Sequence, residues 1–281
     1  MRTTSSSRYW ADWTTTDFSL AGSMGTLEQT IAVLPVAATE QHGPHLPLRV
    51  DSALVDGIVN ASLAHLSPEV HALFLPTQAI GLSPEHMAFS GTLTLKAETV
   101  IRLWTDIAES VAASGVNKLV LFNSHGGQAG LLDVVARDLR ARLGMLVYSV
   151  NWYHLPLEGE QGDDVNQLFS DHEHRFGVHA GDMETSMMLA IAPEQVDMTQ
   201  ASNFASTSEH RARSSPILGN GKSAKLAWQM QDYNAQGAAG NAAAATAEKG
   251  GAVVRAAGRA LARLLAEIHQ LPKDTLRHTV R

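Results

Sequence analysis

Four side chains that commonly bind metal ions lie close together in the first third of the chain. The stretch TEQHGPHLPLRVD, residues 39–51, contains Glu40, His42, His45 and Asp51, and it directly follows an apolar run. Glu40 and His42 are two residues apart, so in an extended chain their side chains point to the same side. Carboxylates and imidazoles are the usual ligands of Zn, Mn and Fe(II). This stretch is therefore predicted to bind one divalent ion or two adjacent ones.

Two later segments carry similar side chains. His125 lies in NSHGGQ, residues 123–128, and Glu184 lies in HAGDMETS, residues 179–186. Combined with the first stretch, they predict a pocket for two divalent ions, with Asp51 as the candidate bridge, formed by Glu40, His42, Asp51, His125 and Glu184. Two ions held close together lower the pKa of a shared water and polarise a carbonyl oxygen. The reaction class that follows is hydrolysis of an unreactive C–N bond.

Each of these residues also has an ordinary structural interpretation. Asp51 would cap a helix, and Glu184 would be a charge on a helix surface. The metal interpretation requires that three segments far apart in the chain meet in space. On spacing alone, the structural and the metal-binding interpretations both stay open.

The hydrophobic pattern predicts the elements that would bring these segments together. Buried strands are predicted at residues 30–38, 71–81, 118–124 and 145–152. Helices are predicted at residues 51–66, 97–115, 130–144, 181–192 and, kinked or starting late at Gly250-Gly251, about 241–271. Alternating strands and helices favour a mainly parallel sheet with helices on both faces, and sites gather at the carboxyl ends of its strands. Residues 153–180 and 193–240 are long polar segments without clear periodicity.

Composition excludes several classes of protein. The chain has no cysteine, which rules out disulfides, thiolate zinc sites and a cysteine nucleophile. The net charge is −7 and there is no long cluster of Lys or Arg, which argues against a nucleic-acid partner. The N-terminus lacks the apolar core of a signal peptide and no apolar run reaches the length of a membrane span, so a cytoplasmic protein without membrane partners is expected.

Three motifs, taken together and in this order, are similar to the creatininase (creatinine amidohydrolase) family. They are E-x-H-G-x-H-L-P with Asp51 eleven residues after Glu40, then N-x-H-G-G, then H-A-G-x-x-E-T-S. HMAFSGTLTL at residues 86–95 and GNAAAATAEKG at residues 240–250 resemble secondary motifs of that family. The resemblance covers about residues 28–250, which is most of the chain.

The resemblance implies a fold, a cofactor and an assembly. The fold is a three-layer α/β/α sandwich with a mainly parallel central sheet, and the cofactor is a pair of divalent metal ions. Zinc is the expected metal, with manganese and Fe(II) as alternatives. Members of the family often form hexamers, so a homo-oligomer is expected. We assign residues 28–281 to one creatininase-like domain and residues 1–27 to an N-terminal arm, either mobile or packed on a neighbouring subunit.

The resemblance also implies roles for individual residues. The family's ligand positions match Glu40, His42, Asp51 and His125, with Asp51 as the bridge. Creatininase itself carries a ligand Glu two residues after the His of the third-strand motif, where this chain has Gly127. Members with HGGN-like sequences use the Glu of the last motif, which implies Glu184 as the fifth ligand. The catalytic residues are then Glu184 and His179, the histidine that matches the proton-transfer residue.

Gly127 makes creatinine itself doubtful as the substrate. The expected enzyme is a two-metal amidohydrolase that cleaves a C–N bond of a small amide, cyclic amide or formamide. The alternatives within the family are a lactone hydrolase and a peptidase that trims a peptide during cofactor maturation. Candidates for the pocket wall are Trp152, Tyr153, Phe169 and the DHEH run at 171–174. The alternative for the DHEH run is a solvated loop, and the alternative for Trp152 is packing in the core or at its rim. His45 and His86 are expected to orient ligands.

The sequence leaves three alternatives outside this chemistry. A serine hydrolase would need a nucleophile elbow, and Ser124 lacks the preceding glycine of G-x-S-x-G. A phosphate-binding loop at GNGKS, residues 219–223, would need a glycine where Pro216 stands and a buried strand before it. A metal-dependent binding or regulatory protein would keep the ligands without turnover.

Overall fold

The computed structural model describes residues 5–277, except for the side chain of Lys273. Its centre is a parallel four-stranded sheet with the strand order β2-β1-β3-β4. The strands are β1 (Ile31–Val36), β2 (Ala72–Phe74), β3 (Lys118–Asn123) and β4 (Leu146–Asn151). Four of the predicted runs therefore form strands, although β2 is shorter than the pattern at residues 71–81 predicts. The central strands β1 and β3 pair from Ile31 with Lys118 to Val36 with Asn123, so their carboxyl ends lie side by side.

Helices cover both faces of this sheet. The longer ones are α1 (Thr15–Ser23), α2 (Val50–Leu63), α3 (Ala97–Ala113), α4 (Ala129–Leu143), α6 (Asp182–Ile191), α7 (Thr207–Ser214) and α9 (Ala247–Gln270). Two short ones are α5 (Asp171–Phe176) and α8 (Met230–Tyr233). The α/β/α sandwich and the mainly parallel sheet predicted from the sequence are confirmed.

The two faces of the sheet contribute to two separate hydrophobic cores. Alternate residues of a strand point to opposite faces, so Ile31 and Val33 pack with α2, α6 and α9, whereas Ala32 and Leu34 pack with α1, α3 and α4. Trp104 of α3 is fully buried in the second core. Because every residue of β1 is buried, the strand needs the continuous apolar sequence IAVLPV.

The long C-terminal helix begins at Ala247, later than the predicted residue 241, and Gly250 and Gly251 lie inside it. The Thr246 side chain accepts a hydrogen bond from the Lys249 amide and caps α9. Gly250 faces α6 so closely that a Cβ atom would lie 1.8 Å from the carbonyl oxygen of Ser186. Further along, a Cβ on Gly258 would lie 2.7 Å from Ala61 of α2. The glycines therefore allow α9 to approach α2 and α6, which carry Asp51 and Glu184.

The segments without clear periodicity contain short elements. A two-stranded antiparallel sheet joins β5 (Asn203–Phe204) to β6 (Gly240–Asn241). The DHEH run lies in α5, where Glu173 is buried and accepts hydrogen bonds from the amides of Asp182 (2.7 Å) and Asn241 (2.8 Å). Burial raises the pKa of Glu173, opposed by these two hydrogen bonds. Glu173 thus connects the start of α6 to β6 through hydrogen bonds. The DHEH run is part of a helix, not a loop, and does not line the cavity at the metal site.

The described part of the N-terminal segment packs on the chain's own sheet. The Phe74 amide donates to the Arg8 carbonyl at 2.8 Å, so residues 8–9 lie along β2. Trp10, Trp13 and Phe18 pack against the core beneath α3 and α4. The domain boundary at residue 27 stays a prediction. None of the helices in residues 5–277 is long and apolar enough to cross a membrane.

Candidate metal centre

Four elements place the predicted ligands at the carboxyl edge of the sheet. Glu40 follows β1, His125 follows β3, and Asp51 lies in the first turn of α2. The Ser124 hydroxyl donates to the Asp51 carbonyl at 2.8 Å, which ties the start of α2 to the end of β3. Glu184 lies in the first turn of α6. Since β1 and β3 are neighbours, their following residues meet without any long connection.

All five predicted ligands converge at this edge. Glu40, Asp51 and His125 offer ligand atoms within 4.8 Å of one another, and so do His42, His179 and Glu184. A third such group contains Glu40, His86 and His179. Asp51 belongs to the first group, and its role as a bridge stays a prediction. His179 joins two groups, so its nitrogen is as close to the carboxylates as the predicted ligands are.

The hydrogen bonds of two histidines leave one ring nitrogen free to bind metal. His42 Nδ1 lies 3.0 Å from the carbonyl oxygen of Glu40, which can only accept, so Nδ1 carries the proton. His125 Nε2 lies 3.0 Å from the carbonyl oxygen of Leu82, so its Nδ1 has the free lone pair. This Nδ1 points to Glu40 Oε1 at 3.2 Å and Asp51 Oδ2 at 3.8 Å. Second-shell carbonyls of this kind orient histidine ligands in metal sites.

Three ligand atoms of this centre are buried without a hydrogen-bond partner among residues 5–277. They are Glu40 Oε2, His42 Nε2 and Asp51 Oδ2. An unpartnered buried polar atom costs about 1–3 kcal/mol, and more when the group is charged. Glu40 and Asp51 belong to one group of close ligand atoms and His42 to another, so cations bound at the two groups would satisfy these atoms. The residues present therefore fit a pair of divalent ions.

Electrostatics in the cluster also favour cations. Burial raises the pKa of Asp51, and the neighbouring Glu40 raises it further. Burial works against ionisation of Glu40, but the charge and hydrogen bond of a His125 ring protonated on both nitrogens outweigh it and hold the Glu40 pKa below its usual range. A bound cation would take the place of the proton on His125 Nδ1. Several buried carboxylates repel one another, and divalent cations are the charges that remove this repulsion.

His179 is held by both backbone and side-chain contacts. Its Nε2 lies 2.7 Å from the carbonyl oxygen of Gln41, so this nitrogen donates. Burial, with the nearby His42, lowers the pKa of His179 to about 4, so the ring is neutral near pH 7. The next residue, Ala180, has a left-handed backbone (φ 54°) and donates its amide to Glu184 Oε2 at 2.6 Å. Such strain in a residue other than glycine is typical of functional sites.

A cavity of about 430 Å³ opens onto the cluster. Glu40, Asp51, His125 and Glu184 line its floor, and residues 225–229, of which 225–227 are exposed and the last two half-buried, form its outer wall. Within this wall, the Trp228 ring lies edge-on to His86 at 6.1 Å between centroids. A larger depression of about 990 Å³ lies beside α4 and β4, away from the three ligand groups.

Sequence reasoning missed three side chains at this cavity. Glu85 Oε1 lies 3.4 Å from His125 Nε2 and fills the space beside Gly127, where a Cβ atom would meet it at 1.7 Å. Gln41 connects His86 with His179. Trp228 comes from a segment without periodicity. HMAFSGTLTL pointed to the turn that carries Glu85, but nothing in the sequence pointed to Gln41 or Trp228.

Most of the aromatic residues considered for the pocket lie elsewhere. Trp152 and Phe169 are buried in the hydrophobic core and do not line the cavity. Tyr153 comes nearer, since its hydroxyl lies 3.8 Å from where a Cβ on Gly126 would be. His45 Nε2 lies 2.9 Å from the Thr185 hydroxyl and so contacts α6 next to Glu184.

Neither rival motif gains support. The Ser124 hydroxyl is buried and already donates to the Asp51 backbone, so it does not face the cavity as a nucleophile would. Residues 219–223 form an exposed loop after α7, with no strand directly before it.

Comparison with known proteins identifies the fold and the family. A solved structure from Bacteroides fragilis, assigned as a creatinine amidohydrolase, is 27% identical, with a TM-score of 0.71 over 90% of this chain and 95% of that one. A mutant creatininase of Zn–Zn type has a TM-score of 0.73 at 23% identity and covers 95% of this chain and all of that one. The second likeness supports the fold alone.

Curated relatives match over part of their length. The mycofactocin precursor peptide peptidase of Mycobacterium ulcerans is 33% identical over 184 residues, which are 63% of this chain and 65% of that protein. Creatinine amidohydrolase of Pseudomonas putida is 28% identical over 178 residues, 60% of this chain and 66% of that protein. The chain thus spans less than two thirds of the length of these relatives. The family model for creatinine amidohydrolase matches residues 11–265, and with the converging ligands this shows that the chain belongs to the creatininase family.

Proposed function

We propose that this protein is a two-metal hydrolase that cleaves a C–N bond of a small amide, cyclic amide or formamide. The observation that carries the proposal is the buried set of unpartnered ligand atoms on Glu40, His42 and Asp51. His125 and Glu184 complete the proposed ligand set, since both lie within reach of that set. Membership of the creatininase family supports the same chemistry.

Each protein group has a proposed task. When bound, the two ions would activate a water molecule and polarise the carbonyl oxygen of the substrate. His179 presents Nδ1 to the cavity as a free base, because its Nε2 donates to Gln41. It takes a proton from the attacking water and delivers it to the leaving nitrogen. Gly126 and Gly127 line the cavity, and their backbone amides are the proposed donors to the developing oxyanion.

We infer zinc as the metal of the site, with manganese and Fe(II) as the alternatives. Mixed imidazole and carboxylate ligands suit all three ions. Structural neighbours with the same fold include one described as Zn–Zn type and one described as Mn. We also propose a cytoplasmic homo-oligomer, for which the exposed Ile217 and Leu218 (69% and 65% of their surface) are candidate contact residues.

A peptide substrate is the second candidate. The relative from Mycobacterium ulcerans is a precursor peptide peptidase. Residues 225–227 of the cavity wall are exposed, which supports an approach of the end of an extended chain from solvent.

The decisive experiment is turnover by the purified protein before and after metal removal. Elemental analysis first gives the metal content. Lactams, formamides and creatinine form one panel, and short peptides with free carboxyl ends form another. Turnover that chelation abolishes and zinc or manganese restores supports the proposal, and the panel turned over identifies the substrate class. A protein that binds metal yet turns over neither panel would instead be a binding or regulatory protein.

A further inference from the structure

Gln41 lies between two cavity histidines and contacts both. It is the middle residue of Glu40-Gln41-His42, and 5% of its surface is exposed. Its side-chain oxygen accepts a hydrogen bond from the Gly43 amide at 3.0 Å. An amide group has one oxygen and one NH₂ group, so this bond fixes which end faces His86. The NH₂ end faces that ring, and Gln41 Nε2 lies 2.7 Å from His86 Nδ1.

This contact determines where His86 carries its proton. An NH₂ group only donates, so His86 Nδ1 must be the acceptor and the proton of the neutral ring must be on Nε2. His86 Nε2 lies 3.3 Å from Glu40 Oε1, and His86 lines the cavity. His86 therefore holds one oxygen of Glu40 by donation, while Oε2 of the same carboxylate has no hydrogen-bond partner among the described residues.

The backbone of Gln41 fixes the second ring. Its carbonyl oxygen lies 2.7 Å from His179 Nε2 and can only accept, so that nitrogen carries the proton. Gln41 Nε2 is 3.3 Å from the same nitrogen, which is too long to compete with the carbonyl contact. The lone pair of His179 is therefore on Nδ1, which lies 3.8 Å from Glu40 Oε1.

His86 and His179 thus present a hydrogen-bond donor and an acceptor, respectively, near the same oxygen of Glu40. Their centroids are 4.3 Å apart, and one ring presents an N–H while the other presents a lone pair. Gly237 packs closely against the Gln41 side chain, since a Cβ atom at position 237 would lie 2.2 Å from Gln41 Oε1. We propose that Gln41 is a positioning residue that sets the tautomers of both histidines, so that His86 fixes Glu40 and His179 offers a free nitrogen to the reacting groups. Only the catalytic consequence rests on the proposed function.

Nitrogen-15 NMR of histidine-labelled and glutamine-labelled holoprotein tests this assignment without any substrate. The His86 and His179 signals are identified by their loss in His86→Gln and His179→Gln variants. Both rings are expected to be protonated on Nε2, and His86 Nδ1 should show a coupling across the hydrogen bond to the Gln41 side-chain nitrogen. A His86 proton on Nδ1, or a His179 proton on Nδ1, would overturn the proposal.

A substitution then tests the catalytic consequence. Gln41→Met keeps the length of the side chain and removes its donor, so the His86 coupling should disappear while His179 stays protonated on Nε2. With metal content unchanged, kcat should fall about tenfold with little change in KM, because a misplaced carboxylate ligand stabilises the transition state less. The control is Gln167→Met, at an exposed position away from the cavity, which should leave spectrum and rate unchanged.

The outcomes separate this inference from the proposed function. Unchanged kcat in a Gln41→Met protein that has lost the coupling would refute the catalytic role. If Gln41→Met does not fold, the wild-type spectrum alone decides the tautomers. Failure of the proposed function would appear differently, as a wild-type protein that binds no metal or turns over no substrate.

Discussion

At the scale of single residues, Glu40 has an asymmetric environment. Its Oε1 is approached by His86 at 3.3 Å, His125 at 3.2 Å and His179 at 3.8 Å. Its Oε2 has no hydrogen-bond partner among residues 5–277, although it is fully buried. Three ring nitrogens therefore surround one oxygen, of which His86 Nε2 is the donor, whereas the other oxygen has no protein partner among the described residues.

Replacing Glu40 with glutamine tests the ligand assignment. The Glu40→Gln variant removes a negative charge and a strong oxygen donor, so metal content should fall by about half or more and turnover should be lost. Elemental analysis after gel filtration measures the first effect. Glu194→Gln, on the exposed turn after α6, makes the same chemical change and should retain full metal. Full metal content in Glu40→Gln would remove Glu40 from the ligand set.

The role of His179 is open to a second test of this type. If it transfers protons, His179→Gln should lower kcat by about 10²–10⁴-fold and leave the metal content unchanged. If it is a ligand with His42 and Glu184, the same variant should lose metal in proportion to activity. Metal analysis and initial rates on one preparation distinguish the two roles, and unchanged kcat would exclude both.

At the scale of elements, alanine substitutions at the two neighbouring glycines of α9, Gly250 and Gly251, are expected to change the free energy of unfolding in opposite directions. Gly250→Ala would place a methyl group 1.8 Å from the Ser186 carbonyl, so the helices must separate and about 2 kcal/mol or more of unfolding free energy should be lost. Gly251 faces only the flexible end of Arg255 at 3.1 Å. Gly251→Ala should therefore stabilise the protein by about 0.5–1 kcal/mol through helix propensity. Urea unfolding of both variants measures the difference, and equal effects would contradict this packing.

The contact of α5 with α6 gives another prediction. Glu173→Gln keeps one oxygen acceptor but turns an NH₂ group toward either the Asp182 or the Asn241 amide. Two donors then face each other in a buried place, which should cost about 1–3 kcal/mol of unfolding free energy. The control is Glu160→Gln, whose side chain is 78% exposed and which should change stability little. A Glu173→Gln protein as stable as wild type would show that the carboxylate is not needed there.

The elements also show which parts of the site the sequence could reveal. Glu40 and His42 come four and six residues after β1 and His125 two residues after β3, so strand prediction together with the rule for parallel sheets locates them. Asp51 and Glu184 lie in the first turns of helices with a clear pattern. The places of Glu85, Gln41 and Trp228 depend on how turns and the segment before α8 fold back, and no periodic pattern encodes that path. Trp152 follows a strand as well, and of its two interpretations, core packing or pocket wall, the structure shows the first.

At the scale of the whole molecule, the proposed ions connect parts of the chain that are far apart in sequence. The ligands run from Glu40 to Glu184 and join β1, α2, β3 and α6. Ligands that bind only the folded state stabilise it by about 2.7 kcal/mol at a hundredfold excess over Kd. Removal of metal should therefore lower Tm by about 5–10 °C, measured by calorimetry before and after chelation. Restoration by zinc or manganese but not magnesium is expected, and an unchanged Tm would contradict a metal that joins these elements.

The wall of the cavity at residues 225–229 differs from its floor in how it is attached. The floor groups stand on sheet and helix, whereas the wall belongs to an exposed stretch between α7 and α8. Exchange of that stretch for a different sequence would leave the strands and helices that carry the ligands in place and, apart from the contact of Trp228 with His86, alter what reaches the centre. One scaffold can then serve unrelated substrates, and new specificities are best sought by randomising those five positions.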